Sequence, residues 1–206
     1  IGWLVQGLAA RRKNGAGGLT VISCDNLMRN GDLLARAVGE LARAQAPGLA
    51  SWIEDNACFP NAMVDAITPA SDEALRGRVA SALGLRDRAC VQREQFRQWV
   101  IEDRFAGPRP AWDAAGVELV ADAVPYQKLK LHVLNTANSA LAYLGLLNGY
   151  TYAHEAFADP QIAAFVDGLI TEERSAAFPE LAAPSYGSSV RPRLSNPLVR
   201  HKLRQI

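Results

Sequence analysis

Between Tyr126 and Gly145 the chain runs Tyr-Gln-Lys-Leu-Lys-Leu-His-Val-Leu-Asn-Thr-Ala-Asn-Ser-Ala-Leu-Ala-Tyr-Leu-Gly, a helix that carries Lys130, Asn135 and Asn138 amid largely apolar residues. Polar groups in such a helix need partners or a task. At about 100° per residue, Asn138 lies about 80° and Asn135 about 140° around the axis from Lys130, while His132 points well away. One ligand can then touch all three. A lysine held near apolar walls loses solvation, its pKa falls, and it can exchange a proton near neutral pH.

The rest of the composition narrows the partners. With 206 residues and 49% apolar content the chain can bury the core of one domain or parts of two. Lys and Arg total 22 against 21 Asp and Glu, a net charge of +1 that gives no electrostatic case for nucleic acid or an acidic membrane. Cys24, Cys58 and Cys90 are odd in number and widely spaced, which argues against a disulfide framework or a Cys-x-x-Cys zinc site and suits a reducing cytoplasm. His154 and His201 add no metal spacing, so no metal is expected. No run reaches the roughly 18 apolar residues of a membrane helix, and there is no signal-peptide pattern. The first residues, Ile1 to Lys13, already read as an amphipathic helix without an initiator methionine, as a fragment would. Trp3, Trp52, Trp99 and Trp112 are expected in the core or at a domain interface, since no basic stripe accompanies them.

Gly15 to Gly18 precede the β-rich run Leu19–Cys24, whereas a dinucleotide fingerprint follows its strand, so this cluster reads as a helix-ending turn. Leu19–Cys24 is expected to be a buried parallel strand with a functional edge at Asp25 and Asn26. Helices are expected over Asp32–Ala46, Pro47–Asn56 and Asp72–Leu83, the last capped by Ser71. Cys90–Asp103 is ambiguous, and Val117–Val120 reads as a strand. From Pro125 on the pattern is helical: Tyr126–Asn148, Thr151–Ala158 and Pro160–Ser175. Pro179–Pro197 reads mostly as loop, and Val199–Ile206 as a resumed helix. The expected fold class is an α/β Rossmann-like portion, residues 1–123, followed by a mainly α-helical C-terminal domain, residues 124–206.

Four stretches carry a resemblance: Ser23-Cys-Asp-Asn-Leu27, Phe59-Pro-Asn-Ala-Met-Val-Asp-Ala-Ile-Thr-Pro69, Phe96-Arg-Gln-Trp-Val-Ile-Glu-Asp103, and the helix around Lys130. In this order they resemble the zinc-independent polyol-specific long-chain dehydrogenases, the mannitol dehydrogenase family. The resemblance covers about residues 1–178 and, more weakly, Arg193–Ile206. It implies an NAD-dependent oxidoreductase that interconverts a sugar alcohol and a ketose of the mannitol and fructose type. Fructuronate reduction, or a catalytically impaired homologue that binds sugar and NAD, is the alternative. By this resemblance Lys130 is the catalytic acid and base, and Asn26 and Asn135 donate hydrogen bonds to the developing alkoxide. Val64 and Asp65 match the nicotinamide-side contact, where an aspartate could orient the ribose or carboxamide end. NAD is the implied cofactor, with NADP left open because the residue reading the ribose 2′ position lies outside this stretch. The implied partner is a small polyol, ketose or sugar acid, bound by a cytoplasmic monomer or weak oligomer.

Two positions depart from the family's pattern. Asn138 stands where a histidine is usual; it is expected to bind a substrate hydroxyl but cannot titrate near pH 7. Gln127 replaces a glutamate, removing a charge and one route for the Lys130 proton. Arg200, Lys202 and Arg204 are the candidates to meet a substrate carboxylate.

Overall fold

The computed structural model describes residues 1–177 and 183–206, with side chains at 1–171 and 186–206. In chain order the elements are α1 (Gly2–Lys13), β1 (Leu19–Thr20), α2 (Asn30–Gln45), α3 (Pro47–Asn56), β2 (Ala57–Cys58), β3 (Ala62–Asp65), α4 (Glu73–Leu83), β4 (Gln98–Glu102) and β5 (Glu118–Val120). There follow α5 (Val124–Leu129), a π-helical segment (Lys130–Asn135), α6 (Thr136–Leu147), α7 (Ala153–Phe157), α8 (Pro160–Ala177) and α9 (Ala183–Leu194). They form two compact units that do not follow sequence order: residues 1–64 with 98–128, and residues 65–97 with 129–206.

In the first unit, α1 closes on Arg11, Arg12 and Lys13, cations that suit the negative end of a helix dipole, and Gly15 at φ 62° turns the chain away. Gly18 permits a close approach: a Cβ there would lie 2.2 Å from Asn56 O. β1 pairs in parallel with β2, Leu19 opposite Ala57. The strand is shorter than its apolar run. Val21 N still donates to Cys58 O, but farther on Asn30 Nδ2 takes over as donor to Ser23 O and Asp25 O. A second sheet has the order β3-β4-β5, with β4 and β5 parallel, as the pattern at Val117–Val120 foretold. Pro47, in the first turn of α3, ends α2 and starts its successor. Val5, Leu8, Val38, Ala42, Leu49, Ile53 and Phe59 form the core between the helices and the short sheet. Trp3 is not part of it, being 89% exposed, while Trp99 stacks on Trp112 with centroids 6.1 Å apart. The expectation of a core position therefore fails at Trp3.

In the second unit the cap of α4 is Asp72, which accepts from Leu75 N at 2.8 Å, and not Ser71, whose hydroxyl donates to Cys90 O. The core is built on α6, α7, α8 and α9, with Val133, Leu141, Phe157, Val166, Val190 and Leu194 buried. Gly145 lets two elements meet, since a Cβ there would come within 2.7 Å of both Leu203 Cδ1 and Ala156 Cβ. Two expectations are corrected. The stretch read as loop contains α9, although its residues 179–182 lie outside those described. Prolines misled: Pro184 falls in the first turn, where no N–H partner is needed, and Pro192 in the last, while Tyr186, Val190 and Leu194 at four-residue spacing bury one face. The expected final helix is instead an extended return, with Lys202 bridged to Tyr152, Leu203 N bonded to Thr151 O, and one 3-10 turn at Leu203–Gln205. Tertiary backbone bonds replace local ones there. Among the described residues no helix is long and apolar enough to cross a membrane.

Candidate active site

Lys130 begins the π-helical segment, in the second unit. In such a segment hydrogen bonds run five residues back, and Thr136 N–H accordingly reaches Leu131 O. Lys130 and Asn135 are thereby set one turn apart on one side, closer than the about 140° of a regular helix. The helical wheel had spread them too far. Lys130 is half-buried, and burial, the largest influence, holds its ammonium below the usual lysine range; Asp65 pulls it back up and Arg193 pushes it further down. A lysine so held gives up its proton more readily than an exposed one. Asn135 is half-buried as well.

Asn138, in the first turn of α6, is 8% exposed, and its Oδ1 is buried with no hydrogen-bond partner among the described residues. An unpaired buried acceptor costs about 1–3 kcal/mol, so it marks a place where a donor is wanted. His132 is exposed, as the periodicity required.

Asp65, the last residue of β3 and 1% exposed, also belongs to the second unit. Arg193 grips it through two nitrogens, Nη2 to Oδ1 at 2.7 Å and Nη1 to Oδ2 at 3.0 Å, and the Tyr186 hydroxyl donates to Oδ2 at 2.6 Å. The same guanidinium donates to Glu94, which in turn accepts from Ile67 N at 2.6 Å, and it lies 4.1 Å from the centroid of Phe96. Burial works against the Arg193 charge, but bonds to Asp65 and Glu94 win and raise its pKa; burial and the Asp65 charge together keep Tyr186 a phenol. Both oxygens of Asp65 are thus engaged inside the protein. Arg193, Glu94 and Tyr186 escaped the sequence reading. Tyr186 and Arg193 lie in the stretch taken for loop, and Glu94 in the ambiguous one.

In the first unit, Asn26 is exposed on a loop that Asn30 fixes. Asn30 Nδ2 donates to Ser23 O, Asp25 O and Ala62 O, while its Oδ1 accepts from Gly31 N, Ala62 N and Gln127 Nε2. Arg29 is held at φ 52°, an unfavourable value for a side-chain-bearing residue, and its N–H donates to Gln127 Oε1 at 2.8 Å. Asn61 Oδ1 caps α2 from outside by accepting from Gly31 N and Asp32 N, and Asn61 is held by Glu102. Burial alone would raise the Glu102 pKa, but the bonds from Asn61 and Arg104 lower it. Gln127 is therefore an amide clamp. Its Oε1 meets a donor and its Nε2 meets two acceptors, Ala62 O and Asn30 Oδ1. Gln127→Glu loses both donations and sets a carboxylate against two oxygens, so a stability loss of about 1–3 kcal/mol is expected by denaturant unfolding. A change below a few tenths would show that the amide is not needed.

Two family models match in sequence: the mannitol dehydrogenase Rossmann domain over residues 1–114 and the mannitol dehydrogenase C-terminal domain over residues 122–206. Among curated relatives, the D-mannonate oxidoreductase of Escherichia coli (strain K12) is 41% identical over 212 residues, covering 100% of this chain and 43% of its own. A mannitol 2-dehydrogenase of Phaeosphaeria nodorum is 38% identical over 210 residues, covering 99% of this chain and 37% of its own. The Pseudomonas fluorescens mannitol 2-dehydrogenase, solved as a ternary complex with NAD and D-mannitol, superposes with a TM-score of 0.88 at 36% identity over 99% of this chain and 42% of that one. The chain spans less than half the length of each.

Proposed function

The chain belongs to the mannitol dehydrogenase family, and from that premise we propose that the protein carrying it is an NAD-dependent oxidoreductase interconverting a sugar alcohol and its ketose, with Lys130 as the proton carrier. The observation that carries this reading is the half-buried Lys130 at the start of a π-helical segment that ends at Asn135, where burial disfavours the ammonium. Oxidation of a secondary alcohol removes a hydride from carbon and a proton from oxygen. NAD, when bound, supplies the hydride acceptor. The neutral Lys130 amine takes the hydroxyl proton, and the ammonium returns it when the ketone is reduced. Asn135 and Asn26 are assigned the amide donors that stabilise the developing alkoxide, a role each keeps from the family pattern. Asn138, whose buried Oδ1 lacks a donor among the described residues, is assigned a substrate hydroxyl. Val64 and Asp65 end strand β3, the position at which open α/β sheets meet dinucleotides, and are assigned the nicotinamide side of the cofactor. The chemistry asks for no metal.

A sugar-acid substrate is the second reading, favoured by the 41% identity to D-mannonate oxidoreductase. Of the cations available to a carboxylate, Arg200 is already engaged with Tyr152, donating to its hydroxyl at 2.7 Å and lying 4.6 Å from its ring centroid. The test is NADH oxidation by the longest natural chain containing these residues, with fructose and with fructuronate. Turnover of fructose supports the polyol reading, turnover of fructuronate alone replaces it by the sugar-acid one, and NADH binding without turnover of either removes both.

A further inference from the structure

Arg200, Lys202 and Arg204 alternate along the last stretch of the chain, and the fold does not give them a common task. Arg200 is engaged with Tyr152. Lys202 is bridged to Tyr152 by its main chain, and Leu203 N donates to Thr151 O at 3.0 Å, so this segment lies extended along the turn that follows α6. Leu203 points inward, 1% exposed and against Gly145, and at the two-residue period of extended chain its neighbours point out. Lys202 and Arg204 thereby line a cavity of about 260 Å³ with Leu146, Gly149, Tyr150 and Thr151. Among the described residues neither cation's side chain makes a hydrogen bond or a salt bridge, and none that lines the cavity is acidic. The acids linked to this corner are committed to other groups. Glu155 accepts from Thr151 N and Tyr152 N, and Asp159 from the Tyr150 hydroxyl and Gln161 N. Asp72, within the field of Lys202, caps α4 through Leu75 N.

This corner is remote from Lys130. The π segment and α6 form one continuous helical run, and at about 1.5 Å per residue Leu146 stands about 20 Å along it from Lys130. Helical side chains lean toward the N-terminus, which carries the Lys130 ammonium farther off. A six-carbon substrate in extended form spans about 6 Å, at about 1.2 Å per bond. A molecule reacting at Lys130 therefore cannot set its far end on Lys202 or Arg204, and these two cations are not partners of a substrate carboxylate.

We propose that Lys202 and Arg204 form a second binding site, apart from the reacting centre, for a phosphate group, carried either as free phosphate or as a small sugar monoester. Two unpaired cations with no acid on the lining suit an anion of about two charges, which phosphate carries and a carboxylate does not. Arg204 can fork two of its oxygens, and Lys202 acts as a point charge. The Thr151 hydroxyl is a third donor on the lining. Leu146 supplies an apolar wall, and the space beside Gly149 is open, since a Cβ there would meet nothing within 4 Å. The cations are held ready: Leu203 between them is buried, and Gln205 Oε1 accepts from Ala70 N at 2.8 Å. None of this depends on the assignment of Lys130 as proton carrier.

The test is calorimetric titration of inorganic phosphate, and in parallel of a hexose phosphate, into the longest natural chain containing these residues. NADH is kept at saturation so that the cofactor's own phosphate contacts are occupied. Saturable binding with a dissociation constant of about 1 mM or below is expected. Lys202→Gln and Arg204→Gln should each weaken it about tenfold, through loss of a charge-assisted hydrogen bond. Arg200→Gln, off the cavity, should leave it within about twofold. All three side chains are exposed, so the variants should fold. Tighter binding of the hexose phosphate assigns the site to a monoester, and equal binding assigns it to free phosphate. No saturable binding of either up to about 20 mM, an affinity unmoved in both the Lys202 and Arg204 variants, or displacement of phosphate by fructose overturns the proposal. Because the measurement needs no turnover, its failure and that of the dehydrogenase reading are separate.

Discussion

Lys130→Ala is expected to lower kcat for polyol oxidation and for ketose reduction by about 10²- to 10⁴-fold, the range by which a positioned acid or base accelerates proton transfer. KM should change much less, since the substrate hydroxyls are assigned to asparagine amides. The pH dependence gives a sharper signature. Oxidation needs the neutral amine, so its rate should rise as pH climbs through the Lys130 midpoint; reduction needs the ammonium and should fall over the same interval. That interval lies below the ordinary lysine range because burial disfavours the charged form. Both inflections should vanish in the alanine variant. The variant should also fold at least as well at neutral pH. A folded-state pKa held below the unfolded one means that folding costs most where the lysine is charged, and the cost fades as pH rises through the folded value. Rate profiles that keep their inflection after the substitution would assign the proton to another group.

What the sequence made legible follows from which signals are local. Lys130, Asn135 and Asn138 could be found because polar side chains in a largely apolar helix are conspicuous without any tertiary knowledge. Their mutual geometry could not, because the ladder shifts to five-residue bonds at Lys130–Asn135 and the regular angle no longer applies. Asn26 was expected at a strand edge but lies on a loop beyond β1, and Asn30 and Gln127, which fix that loop, act across separations of 32 and 65 residues to Ala62 O. Such bonds leave no period in the sequence. Arg193 was hidden differently: prolines on either side suggested loop, while the four-residue spacing of Tyr186, Val190 and Leu194 carried the helix signal in plain view. The assembly of residues 65–97 with 129–206 into one unit is equally non-local, and it is what delivers Asp65 and Glu94 to Arg193.

Arg193→Met is expected to destabilise the second unit by about 3–5 kcal/mol, because it strands two carboxylates in the interior and not merely because it deletes contacts. Position decides the magnitude. Arg43 and Glu54 also form an ion pair, at 2.9 Å, but with side chains 57% and 60% exposed, and breaking it should cost less than about 1 kcal/mol. Denaturant midpoints of the two variants, converted with a common slope, give the comparison directly. Two contributions remain mixed in the larger value: the buried charges left unpaired, and the guanidinium packing lost over the Phe96 ring. Adding Asp65→Asn and Glu94→Gln to Arg193→Met separates them, since neutral amides remove the uncompensated charge and leave the packing defect. Recovery of more than half the loss in the triple variant assigns the effect to charge. No recovery would mean that Arg193 acts by shape and hydrogen bonding alone.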